Sequence, residues 1–86
     1  MNYQDMEQDL GRPRARLAGL KQVLRAVEDG SARAVVLARD VDEPIRARVR
    51  ERCEAANVPC VEGPSMQELG QTCRLDVATA VACLLR

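Results

Sequence analysis

Gly19 to Ala38, GLKQVLRAVEDGSARAVVLA, decides the fold. Leu20, Val23, Leu24 and Val27 fall at i, i+3, i+4 and i+7, the apolar stripe of an amphipathic helix, and Gly30 stands where such a helix is capped. Shortly after, Ala34-Val35-Val36-Leu37-Ala38 is a continuous apolar run rich in β-branched side chains, as a strand covered on both faces requires. A helix running into a doubly covered strand is a piece of an alternating α/β chain.

Upstream, Arg14 to Ala18 sets Ala15 and Leu17 between charges, a short-strand pattern that Gly19 breaks. The first ten residues are polar and acidic, and fit either a short helix or a loose arm. Downstream, Asp42 with Pro44 in the first turn starts a helix. Its inward stripe is Ile45, Val49, Cys53 and Ala56, flanked by Arg46, Arg48, Arg50 and Arg52, and it runs up to Asn57. Val58 to Glu62 reads as a strand, with Pro59 at its start or at a sheet edge. Gly63-Pro64 turns the chain, and Ser65 with Glu68 forms a capping box for a short helix that buries Met66, Leu69 and Cys73. Val77 to Leu85 is an apolar run that periodicity leaves open between a central strand and a buried helix. The elements together imply an α/β fold, a three-layer α/β/α sandwich on a small mixed sheet of about four strands.

Composition narrows the chemistry. The chain has 86 residues, no histidine and no tryptophan or phenylalanine, and Tyr3 is its one aromatic residue. The usual general base and metal ligand are missing, as are the aromatic platforms of base-stacking single-strand binders. Thirteen basic residues, all but Lys21 arginine, balance thirteen acids, so a globally basic nucleic-acid binder is not indicated. The charges are nonetheless sorted. Asp5, Glu7 and Asp9 precede a stretch, residues 11–27, that carries Arg12, Arg14, Arg16, Lys21 and Arg25 and no acid.

The cysteines Cys53, Cys60, Cys73 and Cys83 contain no close doublet, which argues against zinc. An even count also admits a disulfide framework, but each lies in an apolar segment where a free thiol fills core. No leader-like apolar segment or bilayer-length run is present, so a cytoplasmic protein with reduced thiols is expected. The glycines are too scattered for a phosphate-cradling loop. Asp40 and Asp42 sit at a helix entry, where acids complement the dipole, and Cys73 has no base to activate it as a nucleophile. No cofactor and no metal site is expected, and a small hydrolase or transferase would need convergent carboxylates that sequence does not display.

One place stands out. Gly19 leads straight into a helix N-terminus, where exposed N–H groups attract phosphate oxygens. Lys21, Gln22 and Arg25 then share its outward side, combining an amide able to read a base edge with two cations for phosphates. On chemistry alone, an ordinary solvated helix face is the simpler account of these residues.

At these residues the chain resembles the kink-turn RNA-binding ribosomal-protein family, the L7Ae/L30e superfamily, and in particular its small bacterial members. The resemblance runs from Gly19 to Leu85 through Gly19-Leu20-Lys21-Gln22 with Arg25, Ala34 to Asp40 leading to Asp42 and Pro44, and Cys53-Glu54 before Val58-Pro59. It continues through Ser65 to Gly70 with Cys73, and Leu75-Asp76-Val77. It implies the same sandwich, with Val77 to Leu85 as a strand. It also implies that Gly19, Lys21, Gln22 and Arg25 dock into the widened major groove of a kinked RNA at its tandem sheared G·A pairs. A second contact, a loop covering flipped-out nucleotides, falls on Leu75, Asp76 and Val77, with Arg74 adding a cation where that family usually has glycine. Leu20 stands where threonine is common, and Asp29 takes a position that is often basic.

The implied protein is a binder, not an enzyme. Residues 1–13 would be a flexible or short helical arm, and residues 14–86 a single α/β/α RNA-binding-like domain. Its expected partner is a structured RNA with a kink-turn, ribosomal or regulatory, bound by a monomer without DNA or membrane. The competing class is a protein-interaction module on the same fold that has lost RNA, with the Arg46 to Arg52 helix as its surface.

Overall fold

The computed structural model describes residues 1–86. A 3-10 turn, Tyr3–Asp5, precedes α1 (Glu7–Leu10), β1 (Arg16–Ala18), α2 (Leu20–Glu28), β2 (Ala32–Leu37), α3 (Glu43–Ala55), β3 (Cys60–Glu62), α4 (Met66–Thr72) and β4 (Val81–Leu85). The four strands form one mixed sheet in the order β1-β4-β2-β3. β2 and β3 are parallel across the α3 crossover, whereas β4 runs antiparallel to both β1 and β2. Pro59 precedes the edge strand, where no ladder bond needs its missing N–H.

Two cores lie on opposite faces of this sheet. One packs Val23, Leu24 and Val27 of α2 and Val49 and Cys53 of α3 onto Val35, Leu37, Val81 and Cys83. The other packs Met6, Leu10, Leu69 and Cys73 onto Ala34, Val36, Ala82 and Leu84. Strand side chains alternate faces, so Ala32 and Ala34 ought to share one, yet they fall in different cores. A register shift between them against β4 inserts Arg33 as a bulge and switches the parity. Arg33 is fixed there by its bonds to the Leu85 carbonyl (3.3 Å) and the Asp9 carboxylate (2.8 Å).

Helix ends follow local chemistry. α2 stops at Gly30 (φ 83°), with the Ser31 N–H returning to the Ala26 carbonyl at 3.0 Å. α3 ends at Ala55, short of the expected Asn57, so Ala56 drops out of the expected inward stripe. Ala56 is exposed, Asn57 takes φ 57°, and the Val58 N–H reaches the Cys53 carbonyl at 2.9 Å. Ser65 caps α4 by accepting the Glu68 N–H at 3.1 Å, and Asp40 accepts the Met66 N–H at 2.8 Å. Asp40 thus caps α4 rather than the helix it precedes in sequence.

The last apolar run is a strand only from Val81; Val77 to Ala80 form a loop, and Val77 is 69% exposed. The expected strand over Val77 to Leu85 is therefore too long by its first four residues, because Val77 to Ala80 lie outside the paired ladder. Residues 3–10 pack as short helices, with Met6 and Leu10 fully buried. Arg16 locks them to α4, donating to the Leu10 carbonyl at 3.2 Å and the Cys73 carbonyl at 2.7 Å. All four cysteines are free thiols; Cys53, Cys73 and Cys83 are buried and Cys60 half-buried. No helix is long and apolar enough to cross a membrane.

Candidate nucleic-acid interface

The site begins at Gly19. Its φ of 101° with ψ 145° is a backbone conformation that a β-carbon disfavours, and it lets the chain leave β1 and enter α2 without a linker. The Gly19 carbonyl accepts the first helical bond, from the Val23 N–H at 3.0 Å. The N–H groups of Leu20, Lys21 and Gln22 precede that bond and point out of the helix start, with no capping side chain over them. Lys21, Gln22 and Arg25 are exposed, while Val23, Leu24, Ala26 and Val27 are buried on the opposite side.

The second segment arrives at the same corner of the sheet. β1 leaves the sheet where β4 enters it, since Ala18 pairs with Ala82 and the Gly19 N–H donates to the Val81 carbonyl at 3.0 Å. The loop before Val81 holds Leu75, Asp76 and Val77. It is tied down by two bonds to α4, Leu75 N–H to the Gly70 carbonyl (2.9 Å) and Thr79 N–H to the Met66 carbonyl (3.1 Å). Asp76 and Val77 are exposed, but Leu75 is half-buried and packs onto the second core, so it supports the loop rather than projecting from it. Arg74 is exposed at φ 60°, the position after a helix where glycine is the usual residue. Its side chain turns towards Gly11.

Two acids close the α2 end. Glu28 is ion-paired with Arg52 of α3. Asp29 accepts both the N–H (2.9 Å) and the hydroxyl (2.6 Å) of Ser31, which hold its carboxyl below the usual carboxylate range, so its charge persists at neutral pH. Sequence reasoning passed over Gln67 and Gln71, one turn apart on α4, which line a hollow of about 230 Å³ with Leu75, Asp76 and Val77. Arg48, which the sequence offered only with Arg46, Arg50 and Arg52 as a protein-interaction surface, lines a groove with Leu20, Lys21, Leu24 and Arg25 of α2. The i, i+4 spacing of the two glutamines is the signal that was available; nothing in the sequence set Arg48 apart from the other three arginines of its helix.

The model of the ribosomal protein L7Ae/L30e/S12e/Gadd45 family matches residues 4–86. The chain belongs to this family. It is 40% identical to the RNA-binding protein YbxF of Geobacillus stearothermophilus over 68 residues, 79% of this chain and 83% of that protein. Among solved structures it resembles the Giardia lamblia 15.5kD RNA binding protein, with TM-score 0.82, 28% identity, and 95% of this chain and 69% of that one covered. A Bacillus halodurans protein of unknown function superposes with TM-score 0.85 over 93% of this chain and 83% of that one; at 24% identity that likeness shows the fold alone. The α/β fold of the L7Ae/L30e/S12e/Gadd45 family is thus the fold of this chain, as the residues from Gly19 onward imply.

Proposed function

We propose that this protein binds structured RNA and selects its kinked state at tandem sheared G·A pairs, as a monomeric cytoplasmic binder without catalytic chemistry. The observation that carries the reading is the free helix start. Lys21 and Arg25 have no ion-pair or hydrogen-bond partner in a chain where most arginines are engaged, and they stand beside uncapped N–H groups. Free cations and N–H groups suit phosphate oxygens, and the Gln22 amide suits a base edge. The exposed Val77 at the same corner offers an apolar cover for an unstacked nucleotide. Relatives named as RNA-binding proteins support the same reading.

Binding of this kind holds one member of an ensemble. An RNA that samples extended and kinked forms is shifted towards the kinked form by the difference in affinity for the two. The natural RNA is ribosomal or regulatory, and DNA is not expected to substitute for it. The protein-interaction alternative loses much of its surface, because Arg46 and Arg50 are held by Glu62 and Arg52 by Glu28.

The test is a titration of labelled kink-turn RNA against a control whose G·A pairs are replaced by Watson–Crick pairs, at several salt concentrations. Selective binding, a salt slope of a few phosphates and loss of binding in Lys21→Glu with Arg25→Glu are expected. Equal weak binding to both RNAs, or none, overturns the reading.

A further inference from the structure

The cations of this chain divide by what holds them. Arg46 and Arg50 share Glu62, Arg52 takes Glu28, and Arg33 takes Asp9. Arg16 and Arg86 are bound to backbone carbonyls. Arg14, Lys21, Arg25, Arg48 and Arg74 have no such partner, and three of these five, Lys21, Arg25 and Arg48, line a single groove of about 500 Å³ between α2 and α3. Leu20 and Leu24 also line it, and Glu28 and Arg52, bound to one another, complete it. Lys21 and Arg25 lie one turn apart on α2, and Arg48 and Arg52 one turn apart on α3, so two basic rows face one trough. Like charges gathered around a trough are unfavourable until an anion lies between them.

We propose that this groove takes a second run of the RNA phosphate backbone, anchored on Arg48, so that the RNA footprint continues from the start of α2 onto α3. The inference rests on the function proposed above. RNA is the occupant because one wall of the groove is the Lys21–Arg25 ridge itself, so a strand lying on that ridge reaches Arg48 without leaving the surface. Half-buried Leu20 offers apolar surface for a ribose edge, while Leu24 is buried at the floor of the groove. Glu28 limits the footprint twice over, by repelling phosphates and by keeping the Arg52 guanidinium engaged.

Arg48→Gln and Glu28→Gln test this on kink-turn RNA with long flanking helices and on versions with each helix shortened in turn, with urea unfolding as a check on the fold. Arg48→Gln is expected to weaken binding of the long RNA about three- to fivefold at low salt. It should also flatten the salt slope by about 0.7 to 0.9, the contribution of one phosphate. On the RNA lacking the helix that reaches the groove, the same variant should match the wild type. Glu28→Gln, which frees Arg52, should tighten binding and steepen the slope. If the wild type does not discriminate kink-turn RNA from its Watson–Crick control, the functional reading fails and this inference with it. If the wild type discriminates and Lys21→Glu abolishes binding, but Arg48→Gln equals the wild type in affinity and slope on every RNA, the groove proposal alone is overturned and the groove is open to a protein partner.

Discussion

The carbonyl oxygen of Val77 lies where a β-carbon on Gly70 would approach to 2.2 Å, so the exposed loop rests directly on the α4 backbone. In an open helix Gly→Ala stabilises by about 1 kcal/mol. Here the sign reverses, because backbone rather than a flexible side chain blocks the methyl group. Gly70→Ala is expected to lower stability in urea by about 1 to 3 kcal/mol, as overpacking does. It should also weaken RNA binding by displacing Asp76 and Val77. An unchanged urea midpoint would show that the loop yields freely.

Arg74 holds φ 60° at the end of α4, with the Leu75 N–H returning to the Gly70 carbonyl at 2.9 Å. A side chain in the left-handed region costs about 1 kcal/mol or more. Arg74→Gly is therefore expected to stabilise the protein by about 0.5 to 1 kcal/mol, less than the full strain because glycine loses more freedom on folding. The check is a rise in urea midpoint at unchanged slope.

Asp29 offers a separation of charge from geometry. Asparagine keeps the Oδ1 acceptor for the Ser31 N–H and hydroxyl and removes the negative charge beside Arg25. Asp29→Asn is expected to tighten RNA binding about two- to threefold at low salt, with the gain fading as salt screens it. Because the Ser31 bonds hold the Asp29 carboxyl low, acidifying the wild type only into the ordinary carboxylate range should not reproduce that gain. A variant with wild-type affinity at every salt concentration would show that Asp29 lies outside the RNA's field.

Burial pushes the Cys83 thiol up from 9.0 to about 11, and raises Cys73 in the same direction against the nearby Arg16. A group whose pKa is higher folded than unfolded stabilises the fold fully below the unfolded value and loses that contribution as pH rises through the folded one. Stability should accordingly decline between about pH 9 and pH 11. Cys83→Ala, measured by urea unfolding across this range, should start lower at pH 8 and decline less steeply. Parallel declines in the two proteins would remove Cys83 as a cause.

The elements legible in the sequence were those written in local chemistry. Leu20, Val23, Leu24 and Val27 with Gly30 define α2, Pro44 starts α3, and Ser65 starts α4; each signal is complete within a few residues. What escaped depends on neighbours distant in sequence. Val77 continues an apolar run on paper, yet it is exposed because the chain must first cross Gly70 before β4 begins. Met6 and Leu10 sit four apart among acids, a pattern too short to mark a helix until the second core supplies its other side. The Arg33 bulge is invisible in an alternation that sequence alone would continue. The candidate site shows the same division: Lys21, Gln22 and Arg25 are readable from helical spacing, whereas Arg48 is distinguished from its neighbours only because Glu62 and Glu28 hold the other three arginines.

The strand order β1-β4-β2-β3 has a consequence for synthesis. β4 is the last strand to be made, and it fills the place between β1 and β2, which have no pairing with each other. Until Val81 to Leu85 emerge, β1 has no ladder to join and both cores lack one wall. Early segments therefore wait for late ones, a contact pattern of long sequence separation that slows folding and keeps apolar surface exposed on the nascent chain. Because Gly19 bonds to Val81, the corner carrying Lys21 and Val77 is complete only once β4 has joined the sheet, so the proposed RNA site forms with the closing of the sheet and not before it.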